Sequence, residues 1–272
     1  MAYEVVGLVE ALPADTAEVI ADLRDPAATA RAIALVRPDC VIHLAAVSFV
    51  AHDNVEEIYN VNLLGTLRLL QALAEQRGRV RSVVLASSAN VYGNTKLETI
   101  NESVPPAPVN HYAASKLAME HMAATFRDRL PIVIARPFNY TGPGQSDQFL
   151  VPKIVGHFRR CADAIELGNL DVVREFMDVR AVADTYCRLL ESQAAIGETV
   201  NICSGRGVAL REIVRLMEAE TGHRLEIRVN PHLVRTRELN RLVGSPEKLT
   251  SLVGPVEDIP LSTTLREMLA EA

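Results

Sequence analysis

The sequence has no tryptophan, few aromatic residues of any kind, and only four cysteines in 272 residues. Cys40, Cys161, Cys187 and Cys203 stand far apart, without a CxxC pair or a histidine-rich spacing, so neither a disulfide framework nor a zinc site is expected. They read as reduced, mostly buried thiols, and no residue is assigned as a metal ligand. No apolar run approaches the ~20 residues that cross a bilayer, and the N-terminus has no basic stretch followed by an apolar one. A cytoplasmic protein without a membrane partner is expected. Clustered Lys and Arg are also missing: 28 basic residues against 34 acidic ones leave a net charge of −6. Neutralising a phosphate backbone calls for such clusters, so a nucleic-acid partner is not expected.

What is present is a chain with 49% hydrophobic residues, long enough to bury a full core. Apolar runs alternate with amphipathic stretches through the first half, the pattern of a parallel sheet covered by helices, so the fold class is α/β. Strand-like runs are Glu4 to Val9, Glu18 to Ala21, Cys40 to Ala45, Val80 to Ala86 and Pro131 to Arg136. One helix is expected from Val55 to Gln76, with Ile58, Val61, Leu64, Leu67, Leu70 and Leu73 along one stripe and Gly78 just past its end. Another begins near His111. Beyond Pro137 come loops with Pro and Gly, short strands at Ala164 to Leu167, Thr199 to Ile202 and Leu225 to Val229, and helices at Val179 to Glu191 and Leu210 to Thr221. The expected division is residues 1–140 as one domain and 141–272 as a smaller α/β lobe, with some chain returning to the first.

Tyr112 and Lys116 lie one helical turn apart, which puts both side chains on one face. A phenol there can pass a proton to or from a carbonyl oxygen, and a neighbouring ammonium makes it a stronger acid. The pair follows Ser87 and Ser88 at the end of a strand, where a hydroxyl can bind the same oxygen. YxxxK by itself occurs by chance, and a solvated helix face is the plain alternative. His43, inside an apolar run, reads as a hydrogen-bonded core residue.

The ordered motifs decide between these readings. ADLRD (21–25), VIHLAA (41–46), NVNLLGT (60–66), SSANVYG (87–93), YAASK (112–116), ARPFNYTGPGQ (135–145), REFMDV (174–179) and NICSG (201–205) resemble the extended short-chain dehydrogenases/reductases that act on nucleotide sugars. The segments TGPGQSDQFLVP, LGNLDVVREFMDV and RTRELNRLVGSPEKL are most similar to the GDP-6-deoxy-4-keto-mannose reductase branch, beside the GDP-mannose 4,6-dehydratases. The resemblance implies a Rossmann-type parallel sheet, a nicotinamide cofactor, a GDP-sugar substrate and a homodimer built on the Val55 to Gln76 and YxxxK helices. It implies a catalytic set of Ser88, Tyr112 as acid/base, and Lys116 on the nicotinamide ribose. Asp22 and Leu23 would face the adenine, and Leu44, Ala45 and Ala46 the middle of the dinucleotide. Asn62 would sit behind the site, with Pro137 and Phe138 beside the nicotinamide. Asn90 and Asn139 would meet the substrate, and Arg174, Arg235 and Glu238 its nucleotide base, diphosphate and ribose.

The residue at position 90 sorts the chemistry. The dehydratases carry Glu there as a base, and the epimerase/reductases that make GDP-fucose carry Cys with a later His. An Asn can do neither job at neutral pH, so carbonyl reduction remains, with reversible 4-epimerisation as the alternative. The chain departs from the family at its start: YEVVGLVE reads as the second strand, without the first strand and the glycine-rich loop that would cradle a pyrophosphate. This keeps a non-catalytic nucleotide-sugar-binding protein open as a second class of function, and exposed sheet edges are expected. NADP-using relatives place Arg after this strand, whereas Glu10 stands here, so NAD is favoured over NADP.

Overall fold

The computed structural model describes residues 3–10, 18–48, 54–76, 78–231 and 240–271. The chain divides into two compact units, one of residues 1–91, 108–135 and 189–199, the other of 92–107, 136–188 and 200–272.

The first unit is an α/β layer built on parallel strands. β1 (Gly7–Val9) pairs in parallel with β2 (Glu18–Ile20). β3 (Cys40–His43), β4 (Ser82–Ala86) and β5 (Ile132–Pro137) pair in parallel, and the ladder runs β10-β5-β4-β3, with β10 spanning Thr199–Ile202. β5 and β10 start in the first unit and finish in the second. Among the described residues the β1–β2 pair shares no ladder with the larger sheet. The strand expected from Glu4 is shorter, starting at Gly7.

Helices cover these strands because their apolar stripes have somewhere to go. α1 (Pro26–Val36) starts where Asp25 accepts hydrogen bonds from Ala27 and Ala28 N–H, with Pro26 in the first turn. α3 (Thr66–Ala74) and α4 (His111–Ala124) bring Leu69, Leu70, Leu73, Met119 and Ala123 onto Val83, Leu85, Ile132 and Ile134. Val83 and Leu85 are wholly buried, and a buried aliphatic side chain of this size stabilises the fold by about 1.5–3 kcal/mol.

The single helix expected from Val55 to Gln76 is three pieces: α2 (Val55–Tyr59), a π turn (Asn60–Gly65) and α3. Apolar periodicity continues through the turn, so sequence alone reads one helix. Two local features accompany the widened turn: Thr66 Oγ1 donates to the Asn62 carbonyl at 2.8 Å, and Gly65 packs so closely on Leu23 that an added Cβ would lie 3.2 Å from it.

In the second unit, α5 (Leu150–Arg159), α7 (Leu210–Thr221) and α9 (Leu261–Ala270) enclose Ile154, Phe158, Ile213, Met217 and Leu265 against β7 (Ala164–Leu167), which pairs in parallel with β12 (Glu226–Val229). Gly222, at φ 69°, ends α7 in the left-handed conformation that glycine adopts without a Cβ clash. The expectation of mostly buried thiols is corrected. Cys203 is buried and Cys40 half-buried, but Cys161 sits exposed in the turn after α5, and Cys187 on the solvent side of α6 (Val179–Glu191).

Candidate active site

Ser88, Tyr112 and Lys116 all belong to the first unit. Ser88 stands two residues beyond β4, whose strand hands the chain into a short 3-10 turn at Ala89–Tyr92. Asn110 caps α4 by accepting from Ala113 N–H, which starts the helix so that Tyr112 and Lys116 fall on successive turns of one face. All three side chains are buried, at 5%, 8% and 4% exposure. Lys116 Nζ donates to the Ala86 carbonyl at 2.7 Å, tying the helix to the strand end that carries Ser88.

The electrostatics follow from that burial. Removal from water pulls the Lys116 pKa down to about 8, opposed by the nearby Glu120. The ammonium therefore persists at neutral pH. It carries three N–H donors, and Ala86 is its one hydrogen-bond acceptor among the described residues. Ser88 Oγ accepts from Asn90 twice, from the backbone N–H at 3.2 Å and from Nδ2 at 3.1 Å. Both donors approach the oxygen, so neither of these bonds uses the Ser88 hydroxyl hydrogen.

A polar chain runs behind these groups. Asn62, 1% exposed, donates from Nδ2 to Ser115 Oγ at 3.0 Å and to the Val47 carbonyl at 3.2 Å, while Oδ1 accepts from Val47 N–H at 2.8 Å. Ser115 Oγ in turn donates to the Tyr112 carbonyl at 2.8 Å. The Asn62 amide is thus a strut between the chain after β3 and the helix of Tyr112. His43 Nε2 lies 2.9 Å from Thr66 Oγ1. Because Thr66 gives its own hydrogen to Asn62, the histidine nitrogen is the donor, and burial pushes the His43 pKa down to about 3. It is a neutral core residue, as its place in an apolar run suggests.

Leu44 and Ala45 are exposed at the C-terminal end of β3, with Ala46 half-buried. Asp22 and Leu23 follow β2, half-buried, and Asp22 is held below the usual carboxylate range by hydrogen bonds from Arg24. Arg24 also pairs with Glu10, and lies 3.8 Å from Glu57. Pro137, Phe138, Asn139 and Arg174 belong to the second unit. Phe138 is buried beside Cys203 at Gly244, where an added Cβ would lie 2.7 Å from both, and Asn139 is exposed with its carbonyl accepting from Met177 N–H. Arg174 is half-buried, with Nη1 donating to the Val173 carbonyl at 2.9 Å. Arg235 and Glu238 lie outside the described residues. Two cavities of the second unit, one beside Lys153, His157 and Arg160 and one beside Arg206, Asp258 and Leu261, contain none of the expected site residues. Among the described residues no cluster of His, Cys, Asp and Glu could hold a metal ion, and no helix is long and apolar enough to cross a membrane.

Sequence reasoning gave no part to Ser115, Thr66 and Glu120. Glu120 was within reach, since it continues the Tyr112 and Lys116 spacing by one more turn; the others depend on contacts between distant segments.

Known proteins resemble most of the chain. The family model described as GDP-mannose 4,6 dehydratase matches residues 9–268. The GDP-6-deoxy-D-talose 4-dehydrogenase of Aggregatibacter actinomycetemcomitans is 38% identical over 239 residues, spanning 88% of this chain and 81% of its own length. The GDP-6-deoxy-D-mannose reductase of Pseudomonas aeruginosa is 36% identical over 245 residues, spanning 86% and 80%. Among solved structures, a Burkholderia cenocepacia J2315 protein provisionally described as an epimerase matches with TM-score 0.91 and 46% identity, over 98% of this chain and 89% of that one. The RMD protein of Pseudomonas aeruginosa, complexed with NADPH, matches with TM-score 0.83 and 33% identity, over 94% and 88%.

Proposed function

We propose, because this chain belongs to the GDP-mannose 4,6-dehydratase family, that it reduces the 4-keto group of GDP-4-keto-6-deoxy-D-mannose to give GDP-D-rhamnose. It is an NAD(P)-dependent nucleotide-sugar oxidoreductase with the extended short-chain dehydrogenase/reductase fold. The observation that carries the reduction is the surroundings of Ser88. Its oxygen receives both hydrogen bonds from Asn90, so the place beside it holds an amide and not a base. Removing a proton from carbon next to the ketone needs a base there, whereas delivering a proton to the ketone oxygen does not.

The residues fit a nicotinamide dinucleotide. A buried Lys116 ammonium with unused donors suits ribose hydroxyls, and Leu44 and Ala45 lie exposed, with Ala46 half-buried, at the C-terminal end of a parallel strand, where such folds take ligands. Asp22, Leu23 and Asn62, with Pro137 and Phe138, complete the proposed cofactor residues; Asn62 acts through its strut. Bound there, the cofactor supplies the hydride. Ser88 holds the ketone oxygen, and Tyr112 delivers a proton to it as negative charge develops. The Lys116 ammonium balances the phenolate that remains. Asn139, Arg174, Arg235 and Glu238 hold the GDP moiety in this reading. Glu10 at the ribose end favours NADH, because a carboxylate repels a 2′-phosphate. Partly exposed Val55 and Leu64 support a homodimer through α2 and its neighbours.

A second outcome has its own support. The relative that takes GDP-6-deoxy-D-talose shares about as much sequence as the reductase, and reduction of the same ketone from the opposite face gives that C4 epimer. Incubating the protein with GDP-4-keto-6-deoxy-D-mannose and NADH or NADPH, then reading the C4 configuration by NMR, separates the two. Tyr112→Phe is expected to lower kcat about 100-fold or more with little change in Tm. GDP-sugar binding without turnover would leave only a binding protein.

A further inference from the structure

Tyr112, Lys116 and Glu120 stand at successive turns on one face of α4, and all are buried, Glu120 at 9% exposure. The reaction above uses the first two only. A carboxylate is costly to bury unless something compensates it, so Glu120 calls for a role. Its surroundings supply one. Ser87 Oγ donates to Glu120 Oε1, while Ser87 N–H donates to the Ala135 carbonyl at 2.7 Å. Ala86, one residue earlier, accepts from Lys116, and Ser88, one residue later, carries the hydroxyl of the site. Consecutive residues at the end of β4 therefore fix consecutive turns of α4. In this buried setting solvent screens little, and charges one helical turn apart act strongly on each other.

We propose that Glu120 is a positioning residue that keeps the Lys116 ammonium charged, and so keeps the Tyr112 phenol able to give up and regain its proton. The groups facing Lys116 allow no other anion to do this among the described residues. α4 contributes Tyr112 and Glu120, the end of β4 contributes the uncharged Ser87 and Ser88, and β3 contributes His43, which burial keeps neutral. The catalytic consequence rests on the reductase reading; the electrostatic one does not.

Glu120→Gln keeps size and the Ser87 hydrogen bond while removing the charge, and it separates these consequences. In lysine-labelled protein without cofactor, the Lys116 side-chain NMR signal, assigned with Lys116→Arg, is expected to titrate near 8 in the wild type. In Glu120→Gln the midpoint should fall by about one unit or more, and Glu120→Asp should restore most of the difference. In reduction assays the alkaline limb of the kcat profile should move down by the same amount, with kcat at acidic pH within about threefold of wild type. An unmoved Lys116 midpoint, with kcat lowered equally at every pH, would overturn the proposal and leave Glu120 a structural residue. A shifted midpoint in a protein that turns over no GDP-keto-sugar would uphold the electrostatic role and reject the reductase reading instead.

Discussion

Among the described residues two glutamates are buried, one in each unit, and their surroundings differ in kind. Glu175, with no exposure at all, accepts from Ser204 N–H and Oγ, from Gly205 N–H and from Gly244 N–H. Burial pushes its carboxyl above the usual range, and these donors oppose that shift. Both oxygens are occupied by fixed backbone donors from separate segments, so the group is a rigid joint. Glu120 instead accepts from the Ser87 hydroxyl and stands one helical turn from Lys116, whose ammonium has one hydrogen-bond acceptor among the described residues, while Ser88 Oγ serves as an acceptor in both its bonds with Asn90. A buried polar network that is saturated holds the fold, and one that is incomplete waits for a ligand.

The contrast can be broken at either end. The largest stability effect is expected from Glu175→Ala, which strands several backbone donors and should cost about 3 kcal/mol or more, read from denaturant midpoints. A loss below about 1 kcal/mol would mean that the joint is not structural. His43 gives a test by pH. Its pKa is about 3 folded against 6.5 when free, so between those values the unfolded chain binds the extra proton. Stability should therefore fall as pH drops from about 6.5 towards 3, and His43→Gln should flatten that slope of Tm against pH. Asn90→Ala should lower kcat about tenfold with Tm nearly unchanged, since it disorients Ser88 without touching the core. An unchanged kcat would mean that Ser88 orients itself. The smallest effect is expected from Glu10→Ala. Freed from that carboxylate, Arg24 can meet a 2′-phosphate, and the ratio of kcat/KM for NADPH to that for NADH should rise up to about tenfold.

Much of this was legible beforehand. Val179–Glu191, Leu210–Thr221 and Ala164–Leu167 appear in the structure with the limits their periodicity suggests, because each has a clean apolar face and definite ends. That Tyr112 and Lys116 share one helix face was legible from their spacing, since one turn of helix separates them, whereas Ser88 was singled out by the family resemblance. The π turn was not legible, because apolar periodicity runs through it and records neither the Thr66 hydrogen bond nor the closeness of Leu23 to Gly65 that accompany it. Exposed Cys161 and Cys187 were misread because residue type predicts burial only on average.

By itself the sequence determined the α/β class and the family, and it singled out the proposed acid/base residues, all of which depend on local spacing and ordered motifs. Only the tertiary structure decided which polar groups are satisfied and which are not. That Asn90 donates to Ser88, that Asn62 braces the helix of Tyr112, and that Ser87 holds Glu120 while Glu175 is enclosed by amides depend on how folding sets side chains against their neighbours, and burial then makes each such contact strong.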